Sequence, residues 1–292
     1  LQAASIEKDF WVCWTLRELA RLPELGEHLT FKGGTSLSKA WKLIDRFSED
    51  VDLVVDRETL GFGGEASPER APSNAQRTKR LGGLMAACRN WVQDRLQRAL
   101  ADRMSELVSG PHSVRPDPDA EDGQCLLFEY PAALREAEAG YLRPVVKIEL
   151  GARSDDWPSD SQTFKPYLAE ALPEIVPDAK VSFRTLAPER TFWEKALLLH
   201  EETFRPADKP RALRLARHYY DLWCLIDRGV AAKAGADEEL FKRVAEHRQA
   251  FFPWSWVDYA TMRRGSLRLL PAEGRLESWR RDYEAMSGSM FF

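Results

Sequence analysis

A chain of 292 residues with 44% hydrophobic content is long enough to bury one large core or two smaller ones that share an interface, which excludes a disordered polypeptide. Charged residues make up 30% of it, yet they nearly cancel to a formal net charge of -4 and a pI near 5.9. Global charge therefore gives no sign of nucleic-acid binding, and any polyanion must be held by a local basic surface. Two Arg-rich stretches, Arg205 to Arg217 and Arg263 to Arg281, are candidates for such a surface, with a solvated helix face as the plain alternative.

Cys13, Cys88, Cys125 and Cys224 lie far apart and form no CxxC or Cys/His cluster, so they read as reduced, structural thiols, not zinc ligands. No apolar run approaches membrane-spanning length, and the opening residues lack a basic segment followed by an apolar one; a soluble, cytoplasmic protein is expected. With no initiating Met, residues before Leu1 are expected.

Along the chain, Phe10, Trp11, Trp14, Leu16 and Leu19 recur at roughly helical spacing and predict a packed helix from Ile6 to Leu22, closed by Pro23. Leu29 to Phe31 reads as a strand, Lys32-Gly33-Gly34-Thr35-Ser36 as a tight turn, Leu37 to Ile44 as a helix and Val51 to Val55 as a second strand. Residues Gly61 to Gln76, rich in Gly, Pro, Ser and Glu, are expected to form a mobile loop. A long or broken helix is expected over Thr78 to Val108, a polar loop over Ser109 to Gln124, and strands over Cys125 to Tyr130 and Pro144 to Leu150. From Ser154 the pattern is mainly helical, with strong segments at Pro188 to Phe204 and Arg211 to Asp227. This predicts an α+β lobe with a small mixed sheet over 1–153 and a helical lobe over 154–292.

Gly33-Gly34-Thr35-Ser36 opening a helix looks like a phosphate cradle, because glycines let backbone N–H groups approach an anion that the helix N-terminus also attracts. Alone, a Gly-Gly turn is more often plain punctuation. Asp50-Val51-Asp52 at the next strand changes the balance: alternation points both carboxylates to one face, about 7 Å apart, where they can share a divalent metal that also holds phosphates. Glu149, within Val145-Val146-Lys147-Ile148-Glu149-Leu150, is the candidate third carboxylate, as metal ligand or base, although Lys147 on the same face offers an ordinary Lys/Glu pair instead. In the helical half, Lys195 is placed to reach a triphosphate, and Arg217 and Asp221 share a helix face, where a local ion pair is the simpler account.

The blocks Ile6-Glu7-Lys8-Asp9-Phe10-Trp11, Phe31 to Lys39, Arg46 to Leu53, Glu189 to Lys195 and Arg217 to Leu222 together resemble the AbiEii/AbiGii nucleotidyltransferase toxins, a family that includes the MenT-like proteins. The resemblance reaches across most of the chain. It implies a bilobed, polymerase-β-like nucleotidyltransferase core and a toxin in a toxin–antitoxin or phage-defence system, opposed by a cognate antitoxin. It further implies transfer of NMP from an NTP, often a pyrimidine, to the 3′ end of tRNA, with Mg2+ or Mn2+ as cofactor. By this resemblance Asp50 and Asp52 bind metal, with Glu149 as a less firmly fixed third acid. Gly33, Gly34, Thr35 and Ser36 form the nucleotide-binding turn, and Lys195 and Asp221 complete the active site. Ser48, two residues before Asp50, would sit near the phosphates, where modification would add like charge. Two rival readings are transfer to a small-molecule or protein hydroxyl, and a catalytically silent binding module. A Walker-type NTPase is disfavoured because no GxxxxGK[ST] occurs.

Overall fold

In the segment from Val145 to Gly151 buried and half-buried residues alternate, with Val146, Ile148 and Leu150 inward and Lys147 and Glu149 on the other side. That alternation makes a strand with one core face and one site face. The structure, a computed structural model, describes residues 2–134 and 143–290. It opens with helix α1 (Ala3–Ala20), strand β1 (Leu29–Lys32) and a short helix α2 (Gly33–Thr35) that continues as a π-helical segment (Ser36–Ala40). Strand β2 (Val51–Val55) follows, then α3 (Asn74–Asn90), a π segment (Trp91–Leu96) and α4 (Gln97–Leu107). Next come β3 (Ser113–Pro116), β4 (Cys125–Glu129), β5 (Val145–Gly151), β6 (Ser159–Phe164), α5 (Tyr167–Ala171) and β7 (Val181–Leu186).

The described strands form one mixed sheet in the order β3-β4-β5-β2-β1-β7-β6. β2 runs antiparallel to β1 and parallel to β5, and β1 runs parallel to β7. Helix α1 packs on the face that carries Phe128 and Val146, which are cross-strand partners; its Trp11 and Trp14 rings lie 5.8 and 6.1 Å from Phe128. Leu16, Leu19, Phe31, Leu126 and Ile148 are buried in the same core. Burying five such side chains stabilises the unit by on the order of 10 kcal/mol before chain entropy is counted.

The chain divides into two compact units, Leu1–Trp41 with Phe47–Leu186, and Lys42–Arg46 with Ala187–Phe292. The α+β class agrees with expectation, but the sheet-bearing unit runs to Leu186 instead of ending at residue 153, because β6 and β7 extend the same sheet. The second unit contains α6 (Pro188–Thr203), α7 (Arg217–Asp227), α8 (Val230–Ala236), α9 (Glu238–Phe251) and α10 (Glu273–Met290). Residues 42–46 fold with it: Arg228 donates to the Lys42 carbonyl and pairs with Asp45.

Two further expectations are corrected. The segment 61–76 holds two 3-10 turns, Gly64–Ala66 and Pro68–Arg70, and Arg80 donates to the Glu65 and Ser67 carbonyls at 2.8 Å, so it is folded against α3. The polar stretch 109–124 contains β3, whose Ser113 and Arg115 are tied to Glu129 on β4. Among the described residues no helix is long and apolar enough to cross a membrane.

Candidate active site

In the sheet-bearing unit the site begins at Gly33, which leaves β1 with φ +79°, a conformation that L side chains rarely adopt. A Cβ at this position would lie 2.1 Å from Asp52 Oδ2 and 2.8 Å from its Cγ. The Asp52 carboxylate is therefore packed directly on the glycine turn. The turn and the DxD strand, separate signals in the sequence, form one constellation. Glu149 joins it: β2 and β5 are parallel with Asp52 opposite Glu149, so the two side chains share the sheet face away from α1.

Neighbouring groups fix the backbone around these carboxylates. The Thr35 hydroxyl donates to the Asp50 carbonyl at 2.5 Å and lies 2.8 Å from the Ser48 hydroxyl, and Ser36 Oγ donates to the Gly33 carbonyl at 2.9 Å. Both residues are fully buried. Their hydroxyls are thus engaged in shaping the turn and the segment before β2, so the turn's backbone N–H groups are the candidates for contacting a phosphate. Lys8, which pattern reading passed over as a site residue, pairs with Glu49 at 3.3 Å and donates to the carbonyls of Arg143 and Val145. It ties α1, the start of β5 and the residue before Asp50 together. Asp9 pairs with Lys39 at 2.8 Å and accepts from the Tyr167 N–H. Burial pushes the Asp9 carboxyl up, with Lys39 opposing. The only sequence signal for Lys8 and Asp9 is their membership of the first resembling block.

Glu149 is also held by Lys147 at 2.7 Å, the ordinary strand pair weighed from the sequence, and Lys147 lies 3.8 Å from Asp117. Burial works against the Lys147 charge, but the Glu149 carboxylate outweighs it and raises the ammonium above its usual range. Among the described residues no three His, Cys, Asp or Glu side chains gather as a complete metal cage. The donor set nevertheless fits a magnesium-type ion, which takes one or two carboxylates and draws its remaining oxygens from water and substrate phosphates. Asp50 and Asp52 are the residues that would hold it, with Glu149 in register to complete the set.

In the helical unit, Asp221 on α7 is fully buried and clamped by two cations. Arg46 Nε and Nη2 donate to its two oxygens at 2.6 and 2.9 Å, and Lys195 Nζ on α6 pairs with it at 2.8 Å. The expected Arg217 partner is displaced by Arg46, which lies 175 positions away in the chain. Burial alone would raise the Asp221 carboxyl, but Lys195 and Arg46 outweigh it and hold the group well below the usual carboxylate range. His218 Nδ1 lies 3.3 Å from Lys195 Nζ; burial first, then the Lys195 and Arg217 charges, push its imidazole well below its ordinary value, and burial also lowers the Lys195 ammonium, with Asp221 opposing. Helix α6 is anchored by Trp193, whose Nε1 donates to the Ala234 carbonyl at 3.1 Å and whose ring lies 4.7 Å from Phe241. Arg46 and Lys195 converge on this one carboxylate, an arrangement that could serve a phosphate-bearing ligand.

A glycine turn packed against a carboxylate pair on the next strand is an arrangement that could hold nucleotide phosphates and a divalent ion, which makes a protein acting on nucleotides the class to test. Residues 14–292 match the family described as "Nucleotidyl transferase AbiEii toxin, Type IV TA system", and the chain belongs to that family. Membership makes it a toxin-type nucleotidyltransferase, with an NTP as substrate and an antitoxin as counterpart. Among solved structures it is similar to MenT4, nucleotidyltransferase toxin Rv2826c from Mycobacterium tuberculosis H37Rv, at 16% identity and a TM-score of 0.38, covering 98% of this chain and 95% of that one. No curated protein matches.

Proposed function

We propose that this protein transfers NMP from an NTP, with a pyrimidine favoured, to the 3′ end of tRNA, blocking translation until its antitoxin intervenes. The observation that carries the reading is the contact of the Asp52 carboxylate with the Gly33 turn, which unites a phosphate cradle and a metal-binding pair in a member of this family. The turn's N–H groups would meet the phosphates, and Asp50 and Asp52 would hold a divalent ion, magnesium or manganese. Such an ion neutralises charge on the attacking and leaving oxygens.

The acceptor's 3′ hydroxyl oxygen attacks the α-phosphorus, the bond to the β-phosphate oxygen breaks, and pyrophosphate departs. Glu149, beside Asp52 in register, takes up the hydroxyl proton. Lys195, held by Asp221 and beside His218, is the helical unit's own candidate for meeting a phosphate-bearing ligand. Phosphorylation of Ser48, 2.8 Å from Thr35 Oγ1, would wedge a dianion between the turn and Asp50 and silence the site.

The reading is tested by incubating the protein with total RNA, Mg2+ and each radiolabelled NTP separately. Label on tRNA-sized RNA from CTP or UTP is expected. Label only on small molecules or protein would replace the acceptor, and an absence of label on any species would refute the transfer reading.

A further inference from the structure

The two Arg-rich stretches singled out in the sequence meet in the helical unit. Arg211 donates to the Ser278 carbonyl at 3.0 Å, and its guanidinium lies 3.9 Å from the Trp279 ring centroid. Between them opens a cleft of about 450 Å3 whose charged lining is Arg205, Lys209, Arg211 and Arg275 against the single carboxylate of Glu202. Arg205 is matched by Glu202 at 2.6 Å, which leaves three cations in excess in a protein whose net charge is -4. Aromatic rings border the cations: Lys209 Nζ lies 4.3 Å from the Trp256 ring centroid, and Trp256 stacks on the exposed Trp254 at 4.6 Å.

Trp279 also lines a second cavity, an apolar slot of about 270 Å3 with Tyr219, Leu270, Leu276 and Tyr283. Leu270 is 79% exposed and Leu276 40%, so this slot is open to solvent. A cationic cleft and an apolar, ring-walled slot thus meet at one tryptophan. A single-stranded polynucleotide has that same alternation, with an anionic phosphate at each step and a flat apolar base beside it. A duplex hides its bases, and an acidic peptide has no flat apolar group at each charge.

We propose that this face of the helical unit binds unpaired RNA, with phosphates in the Arg205, Lys209, Arg211 and Arg275 cleft and a base in the slot against the exposed Tyr283, Leu270 and Leu276, the buried Trp279 being the wall the two cavities share. The choice of RNA among polynucleotides rests on the acceptor proposed above.

The test uses the full chain and a fluorescently labelled, unstructured RNA oligonucleotide, followed by anisotropy over a series of salt concentrations without NTP. The wild type should bind with an affinity that falls as salt rises. The Lys209→Glu/Arg275→Glu variant should bind at least about tenfold more weakly, with a log–log salt slope smaller by about two. A duplex of equal length should bind more weakly than the single strand. Unchanged affinity and slope in the variant, absence of binding by the wild type, or equal binding of the duplex would each overturn the proposal. Lys209 is exposed, so Lys209→Glu alone keeps the test interpretable if the double variant fails to fold. The assay needs no turnover, so a failure of transfer to RNA leaves it readable. Conversely, RNA labelling with an unchanged KM for RNA in the variant would remove this surface while leaving the acceptor reading intact.

Discussion

Gly33→Ala should abolish most nucleotidyl transfer while leaving the protein folded. An added Cβ would stand 2.1 Å from Asp52 Oδ2, where ordinary contact begins near 3.4 Å, so the carboxylate has to retreat by about 1.3 Å. A displacement of about 1 Å in a reacting constellation costs on the order of 100-fold in rate. The backbone adds a second penalty, since φ +79° costs an alanine about 1–2 kcal/mol, or a few degrees in Tm. Gly61→Ala separates the two effects: Gly61 has φ +78° but nothing within 4 Å of its would-be Cβ. Gly33→Ala should melt at or below Gly61→Ala, since it adds a clash to the shared backbone penalty, and only Gly33→Ala should lose kcat in a labelled-NTP transfer assay. Activity in Gly33→Ala within a few-fold of Gly61→Ala would refute the placement of Asp52 against the phosphate turn.

Asp221→Asn should destabilise the helical unit by about 3–5 kcal/mol in urea unfolding, because it takes the buried carboxylate away from both Arg46 and Lys195. The same pair sets a pH dependence: the folded-state value of Asp221 lies below its unfolded value of 3.8, so its contribution is full above that value and is lost as pH falls toward the depressed one. The stability gap between wild type and Asp221→Asn should hold from pH 7 to about 5 and narrow below about pH 4. Lys195→Met keeps the Arg46–Asp221 clamp, so it should cost less stability than Asp221→Asn yet depress transfer at least as strongly, read as kcat against melting temperature. Lys8→Met removes the tie between Glu49 and the Arg143 and Val145 carbonyls and should lower kcat by about tenfold; an unchanged kcat with lowered stability would make Lys8 purely structural. Chelation of divalent ions should stop transfer, and added Mg2+ should restore it.

The elements that carry the site were readable because their signals are local. β2 and β5 are Val- and Ile-rich runs and Gly33 is a glycine at a strand end; in the other unit, the helix that bears Lys195 is equally legible, because Pro188 opens α6 at its first turn. β3 and β6 escaped notice because Ser113–Pro116 and Ser159–Phe164 are polar edge strands, specified by their partners β4 and β7 and not by alternation of their own. The boundary moves from residue 153 to Leu186 because β7 also joins the sheet, and β7 is an interior strand whose Val181, Phe183 and Thr185 do alternate inward. The clamp on Asp221 illustrates a second limit: the helical spacing of Arg217 invited a local pair, while Arg46 arrives from a segment that folds with the distant unit. The π-helical turn at Ser36–Ala40 and the inward hydroxyls of Thr35 and Ser36 have no sequence signature, since they are settled by the packing of the Asp50 segment against α2.

The most direct test of the central claim is transfer of label from each NTP into RNA by wild type and Asp52→Ala, with folding of the variant verified by circular dichroism. The account predicts label on tRNA-sized RNA from a pyrimidine nucleotide with the wild type, and a loss of more than about 1,000-fold with Asp52→Ala. A folded Asp52→Ala protein that labels RNA at the wild-type rate would contradict it, because the chemistry would then lie away from the Gly33–Asp52 site.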